Sequence, residues 1–395
     1  MISKNCRVCN SNNLRNVISL GKQPLANNLE DYPRKSAKYP LGLNLCFSCF
    51  NCQLSYAVSS RKLFNNYLYK SSISKSFQKH FELASLKFIK LFKLKKNSPI
   101  LDIGSNDGIG LKPFYRKRFR NLYGIEPAKQ LSNITNRMGI KTYNCFLNKK
   151  FAEKNLNKFE LITASNVFAH VNDLNQFTRC VLKMLKDEGI FVVEVQYLVK
   201  MLLEGSFDNI YHEHVNFWSV YSMNNFLLKF GLEIFDAEEI NTHGGSIRFF
   251  IKKKINKKLK INGNVKNFLI QEKKLKINSQ YPYRNFKRLI EKRKKKIINL
   301  IKKLKKRNYS IVGYGAPAKA STIINFFKID KQIDYMIDDN TLKNKKFIPD
   351  TKLQIFNKPK SKNIDYILVF AWNFFNEIKK KNKNLSNNFI NVFNF

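Results

Sequence analysis

Long apolar runs are missing from this chain of 395 residues. One of the longest, Ile364-Asp365-Tyr366-Ile367-Leu368-Val369-Phe370-Ala371-Trp372, is interrupted by an acid and is far short of the roughly 20 apolar residues that cross a bilayer, so no membrane span is expected. No charged-then-apolar leader pattern opens the sequence, and Cys6 already belongs to a motif, which points to a cytoplasmic protein. Acids are scarce: 28 Asp and Glu stand against 72 Lys and Arg, a formal net charge of +44. Clustered cations can neutralise nucleic-acid phosphates. Here, however, the lysines are spread along the chain among Asn, Ile and Phe. They are densest over residues 251–307, where the spacing is helical, and no RNA-recognition signature accompanies them. Biased coding is the simpler reading, with some positive field left over to attract an anionic ligand such as a nucleotide diphosphate. Histidine is sparse as well, with five in the chain, and two of them stand together in Tyr211-His212-Glu213-His214.

What is present is a folded chain of two or three domains, with 44% hydrophobic and 13% aromatic residues. Residues 1–58 hold five of the seven cysteines. Cys6-Arg7-Val8-Cys9 and Cys46-Phe47-Ser48-Cys49 each offer two thiolates, which together suit a tetrahedral zinc ion. The long insert between them must fold as a small lobe, punctuated by Gly21, Pro24, Pro33 and Pro40. Cys52 could compete as a ligand, but its use would orphan Cys46. Four sulfurs close the metal's shell, so the expected role is structural.

Residues 59–96 read as largely helical, with a broad apolar face from Phe81 to Phe92 and, just before that helix, the polar-aromatic turn Tyr67-Leu68-Tyr69-Lys70-Ser71-Ser72. Pro99–Gly108 then reads as a buried strand breaking into a turn, with a helix expected from near Ile109. The layout Asp102-x-Gly104-x-Asn106-x-Gly108, with Ser105 and Asp107 between, is that of the first loop of a Class I methyltransferase, where small residues let the backbone approach S-adenosylmethionine (SAM). No Gly-Lys-Ser or Gly-Lys-Thr follows, which excludes a P-loop. A second strand ends at Glu126-Pro127, where an acid can accept from both ribose hydroxyls; a NAD-type site fits this pair equally well. A third strand, Phe159–Asn166, leads to His170, and strand Gly189–Val195 ends beside Glu194. The alternation predicts an α/β doubly wound parallel sheet with its ligands at the strand C-termini.

The Tyr211–His214 run follows the fourth strand and could either move protons or bind a metal. Beyond it, Thr242-His243-Gly244-Gly245-Ser246 suggests a tight turn with exposed backbone N–H groups. A second strand–turn–helix unit, Tyr309–Ala320, carries Gly313, Gly315 and Lys319, and another strand ends at Asp338. The expected organisation is a zinc-binding lobe over residues 1–58, a helical lead-in with a SAM-binding domain over 59–240, and a smaller α/β domain over 241–395.

In order and spacing these motifs resemble the three-domain, zinc-containing, SAM-dependent sugar C-methyltransferases that act on nucleotide-linked keto-deoxysugars. The resemblance extends over nearly the whole chain, through Cys52-Gln53-Leu54, Leu101–Gly108, Asn166–His170, Tyr211–His214, Thr242–Ser246, Gly313–Ala316 with Lys319, Ile337–Asn340 and Ala371–Phe374. It implies SAM bound by Asp102, Gly104, Ser105, Asn106, Asp107, Gly108, Glu126 and Pro127, and a structural zinc on Cys6, Cys9, Cys46 and Cys49. It also implies a nucleotide-diphosphate sugar held with the help of His243, Gly244, Gly245, Gly315, Lys319 and Asp338. His214 would be the base, oriented by Glu213 or another acid; Tyr211 would donate to an enolate oxygen; Asn166, His170 and Tyr69 would line the sugar pocket. The residues alone also permit His170 and His214 to exchange roles. They leave room for an O- or N-methyltransferase on a related sugar, a zinc-containing RNA-binding protein or RNA methyltransferase, or a dinucleotide-dependent oxidoreductase, and for a monomer or a weak oligomer.

Overall fold

The computed structural model describes residues 2–64, 71–242, 244–361 and 363–393. Among them sixteen strands, numbered in chain order, form three sheets. In the N-terminal lobe β1 (Leu14–Pro24), β2 (Lys38–Cys46) and β3 (Cys52–Leu54) run antiparallel. Leu41, Leu43 and Leu45 alternate along β2 and are all buried, which fixes which face of the sheet turns inward. The fourth strand of this sheet comes from far along the chain: β9 (Asn216–Phe217) pairs with β3, Cys52 opposite Phe217 and Gln53 opposite Asn216.

The central sheet has seven strands. Parallel β4 (Ile100–Ile103), β5 (Leu122–Ile125), β6 (Lys141–Tyr143), β7 (Phe159–Ser165) and β8 (Leu185–Gln196) are ordered 6-5-4-7-8. The run Ile190–Val195 is buried throughout, the pattern of a strand covered on both faces. The hairpin β10 (Leu232–Ile240) and β11 (Ser246–Lys253) completes the edge, with β11 antiparallel between β8 and β10. The expected parallel sheet therefore carries an antiparallel strand. A boundary drawn after Ile240 falls inside this hairpin, because β11 bonds to β8 along its length.

The third sheet is wholly parallel. It is ordered β14 (Ile355–Phe356), β13 (Tyr335–Ile337), β12 (Ile311–Tyr314), β15 (Tyr366–Val369) and β16 (Asn388–Asn391). Its strand order reverses between β12 and β15, the switch point at which sheets of this kind form their ligand crevice, outside the strand C-termini. Helix Tyr281–Lys306 carries the lysine-rich stretch: Phe286, Ile290, Ile297 and Ile301 are buried on one face while the lysines take the other.

The segment from Phe207 to Trp218 is held by all three units. Phe207 packs against Phe326, Phe327 and Phe393 of the C-terminal unit. Asn216 and Phe217 pair into the N-terminal sheet, and Trp218, fully buried, packs at a tilt against Phe168 and Phe226 of the central unit. Each buried aromatic contributes roughly 1.5–3 kcal/mol, so the run between these anchors is fixed by packing at both ends.

Candidate active site

The four N-terminal cysteines converge. Cys6 Sγ lies 3.6 Å from Cys49 Sγ and Cys9 Sγ 3.5 Å from Cys46 Sγ, and all four sulfurs fall within 4.8 Å of one another. Sulfurs about 2.3 Å from a tetrahedral zinc stand about 3.8 Å apart, so the quartet fits that ion. Each Cys-x-x-Cys turn closes through a left-handed residue, Asn10 (φ 62°) and Phe50 (φ 58°), whose amides donate to the Cys6 and Cys46 carbonyls. Cys52 is fully buried in β3 and stands outside this quartet.

At the end of β4 the chain turns at Gly104, φ +69°, where a Cβ would come within 2.4 Å of Val167 Cγ2. Gly104 and Ser105 donate to the Ile125 carbonyl at 2.7 and 3.1 Å, which binds the loop to β5. Asn106, also left-handed at φ 51°, donates its amide to Glu126 Oε2 at 2.9 Å, and Ala128 donates to Oε1 at 2.8 Å. Gly108, at φ +81°, packs over Thr135. The Asn144 amide donates to the carbonyls of Glu126 and Pro127 at 3.0 and 2.7 Å. Asp102 accepts from the Thr163 hydroxyl at 2.7 Å, and burial pushes its carboxyl up to about 7. The lead-in segment lies on this loop: Ser71 donates its amide to Asn106 Oδ1 at 3.0 Å and Ser72 its hydroxyl to Asp107. Ser105 Oγ and Asp107 Oδ1 are buried without a partner among the described residues. A left-handed turn that leaves no room for side chains, lined by polar atoms awaiting partners, suits a ligand with amino, carboxylate and ribose groups. The helix expected from Ile109 begins at Lys112, because Gly108–Gly110 are spent on the turn.

The Tyr211–His214 run lies beyond β8. His214 Nδ1 is 2.8 Å from the Asn209 carbonyl, which can only accept, so Nδ1 carries the proton and Nε2 keeps its lone pair. Nε2 faces the Tyr211 hydroxyl at 2.9 Å. His170 stands beside it, ring centroids 5.0 Å apart, with its Nδ1 donating to the Glu213 carbonyl at 2.7 Å. Burial lowers the His170 imidazole to about 4, so it is neutral at pH 7. Asn166, left-handed at φ 57°, donates to the Glu194 carbonyl at 2.7 Å, and its main chain also hydrogen-bonds His170. Glu213 does not orient His214 as expected. Its Oε1 accepts from Asn27 at 2.6 Å, so the acid ties the run to the N-terminal lobe instead. His212 Nε2 reaches the Tyr39 carbonyl of the same lobe at 3.3 Å, and burial lowers its imidazole to about 4. Tyr69 and His243 lie outside the described residues.

In the C-terminal unit, Gly315 follows β12 at φ +84°, with no space for a Cβ against Ala371. Asp338 accepts from the amides of Ala316 and Asn340 at 2.7 and 2.9 Å and pairs with Lys343 at 3.0 Å, so its carboxylate braces the turn. Lys319, expected to present its charge to a diphosphate, is instead turned inward. Its Nζ lies 4.9 Å over the Trp372 ring and 4.0 Å from Asp208. Gly244 abuts the same indole, a Cβ there meeting it at 2.5 Å, and Gly245 packs on Lys200.

Three family models match consecutive stretches of the chain: a zinc binding domain over residues 6–64, a methyltransferase domain over 77–237, and a C-methyltransferase C-terminal domain over 241–392. The chain is also 28% identical over 392 residues to the C-methyltransferase NovU of Streptomyces niveus, a match covering 97% of this chain and 93% of that protein. Together these matches identify a SAM-dependent C-methyltransferase with a zinc-binding domain. Among solved structures it is similar to a SAM-dependent methyltransferase from Thermotoga maritima, at 16% identity over 44% of this chain and 91% of that one, with a TM-score of 0.34. It is likewise similar to one from Clostridium acetobutylicum, at 15% identity over 45% of this chain and 92% of that one, with a TM-score of 0.37.

For a C-methyltransferase the informative groups include several that no side-chain motif announced. Asn209 acts through its carbonyl, and Asn27 and Tyr39 come from a distant lobe. Glu194, on the ligand side of β8, is consumed by Arg248 at 2.8 Å and His80 at 2.9 Å. Burial alone would push its carboxyl up; the hydrogen bond and charge of His80 and the charge of Arg248 outweigh that and hold it at about 2. This pairing locks helix Lys75–Leu91 onto β8 and β11.

Proposed function

We propose that the methyl acceptor is a carbon beside the ketone of a nucleotide-linked keto-deoxysugar, and that His214 removes its proton. The observation that carries this reading is the His214 imidazole: one nitrogen is protonated against a carbonyl, and the other is held as an acceptor next to a phenol. A carbon acid needs such a base, together with a donor for the enolate oxygen. Tyr211 is that donor: without acceptor its hydroxyl donates to Nε2 and keeps the lone pair aimed, and with acceptor bound the O–H turns to the enolate oxygen and frees the lone pair. His170, neutral and half-buried, would line the pocket with Asn166 and can hydrogen-bond a sugar hydroxyl without competing for the proton.

SAM supplies an electrophilic methyl when bound. Asp102, Gly104, Ser105, Asn106, Asp107, Gly108, Glu126 and Pro127 would hold it, with Glu126 accepting from the ribose. The C-terminal unit holds the nucleotide end, with Gly244, Gly245 and Gly315 giving close backbone approach and Lys319 and Asp338 bracing the crevice. Deprotonation moves the proton from sugar carbon to His214 Nε2 and leaves the electron pair on the enolate. That pair would be the nucleophile for the methyl group that SAM would supply.

The test is solvent deuterium exchange beside the ketone, measured with a nucleotide-linked keto-deoxysugar. Exchange and methyl transfer in the wild type, both reduced about 10²- to 10⁴-fold in His214→Asn, are expected. Wild-type exchange in that variant removes His214 from the base role. Methylation at oxygen or nitrogen without exchange replaces the acceptor class.

A further inference from the structure

We infer that Asp208 is a positioning residue, tying Trp372 and Lys319 of the C-terminal unit to the turn that orients the His214 imidazole. Asp208 is fully buried at the head of the catalytic run. Its Oδ2 accepts from the Trp372 indole N–H at 2.7 Å and lies 4.0 Å from Lys319 Nζ. Both partners stand at the crevice of the C-terminal sheet: Lys319 on helix Ala318–Phe327 after the Gly315 turn, and Trp372 just past β15. The next residue in sequence, Asn209, presents the carbonyl that accepts from His214 Nδ1 at 2.8 Å. One short turn, Phe207–Asn209, therefore joins the C-terminal crevice to the imidazole.

The arrangement is costly for a mere tether. Asp208 Oδ1 is buried with no partner among the described residues, and burying a carboxylate on so few hydrogen bonds is unfavourable. Burial pushes the carboxyl up, and the Lys319 charge and the Trp372 hydrogen bond act against that shift. A neutral amide could accept from the indole as well, so the acid's particular contribution is its charge, which keeps Lys319 turned inward over Trp372. The indole in turn blocks side-chain growth at Gly244, so the same contact shapes the turn at the acceptor pocket. A change at the C-terminal crevice reaches the base through this contact, without a residue that touches the reacting carbon.

The inference rests on the acceptor reading above only in its kinetic arm, because a spectroscopic arm needs no substrate. Histidine ¹⁵N NMR of the full chain, with His214→Asn to assign the signal among the five histidines, should show His214 as the Nδ1–H tautomer. Asp208→Asn and Trp372→Phe should each move that signal toward a tautomer mixture and lower kcat about 10- to 100-fold, the scale of small misplacements, with KM for SAM unchanged. Because both act through the Asp208 side chain, the double variant should fall within about threefold of the worse single. If Asp208→Asn fails to fold, Trp372→Phe, which keeps an aromatic ring and removes the N–H, carries the test alone. A His214 signal and kcat at wild-type values in Trp372→Phe overturn the inference, as do effects that multiply in the double variant. A shifted signal in a protein that methylates no keto sugar would leave this inference standing and overturn the acceptor reading.

Discussion

His212 and His214 are two residues apart and do opposite work. His214 has a ring nitrogen aimed at a hydroxyl; His212 is buried against the Tyr39 carbonyl, its imidazole lowered to about 4. The sign of the resulting pH effect is fixed. The folded value lies below the unfolded one of about 6.5, so the stability His212 contributes is complete above that pH and is lost as pH falls toward 4. His212→Gln should therefore destabilise the chain at pH 7 and lose its disadvantage on acidification. The gap to the wild type should close by up to about 1.4 kcal/mol per pH unit between roughly pH 6.5 and 4. Comparing the two proteins cancels the opposing titration of Asp102, whose carboxyl is raised to about 7. Urea denaturation across this range is the measurement, and a constant gap would refute the assignment. At this scale the sequence was informative about residue type and silent about partners. Glu213 looks like an orienting acid because it adjoins His214, yet neighbouring side chains in this turn point apart and its carboxylate reaches Asn27.

The element that most constrains the cofactor end is the turn after β4. Its glycines were legible because the requirement is local: a left-handed φ and a close approach leave a mark at the position itself. Gly104→Ala adds a methyl that meets Val167 and strains a backbone at φ +69°. The expected result is a stability loss of about 1–3 kcal/mol and at least a tenfold weaker SAM affinity by calorimetry, partly restored by Val167→Ala, which relieves the clash and leaves the strain. Full recovery in the double variant would show that strain is unimportant there. The strands were legible too: β7 ends within a residue of expectation, and β8 contains the expected Gly189–Val195 but starts earlier, at Leu185. The place of β11 was not. Its alternation suits any buried strand, and insertion beside β8 is decided by hydrogen bonding between segments about 50 residues apart.

At the scale of the whole molecule, the zinc lobe is part of the active site's frame. It contributes three strands to the sheet that β9 joins, and it holds the Tyr211–His214 run through Asn27 and Tyr39. It also bridges to the C-terminal unit through the backbones of Glu30 and Phe347 and the Lys38–Asp350 pair at 2.5 Å. Removal of the metal should therefore do more than loosen a remote lobe. Cys46→Ser should lose the zinc by elemental analysis and lower kcat about 10- to 100-fold, whereas Cys52→Ala, outside the quartet, should keep one zinc per chain. Zinc loss in Cys52→Ala, or full activity in a zinc-free Cys46→Ser chain, would contradict this arrangement.

The sequence alone determined the α/β alternation, the two cysteine knuckles, the turn at Gly104 and the candidacy of Tyr211–His214. Each of these depends on chemistry carried by residues close together in the chain. Tertiary structure decided that Asn209 rather than Glu213 orients His214, that Lys319 turns toward Asp208, and that three units grip a single run from Phe207 to Trp218. These outcomes depend on backbone carbonyls, which every residue has, and on packing between distant segments, for which no local spacing is specific.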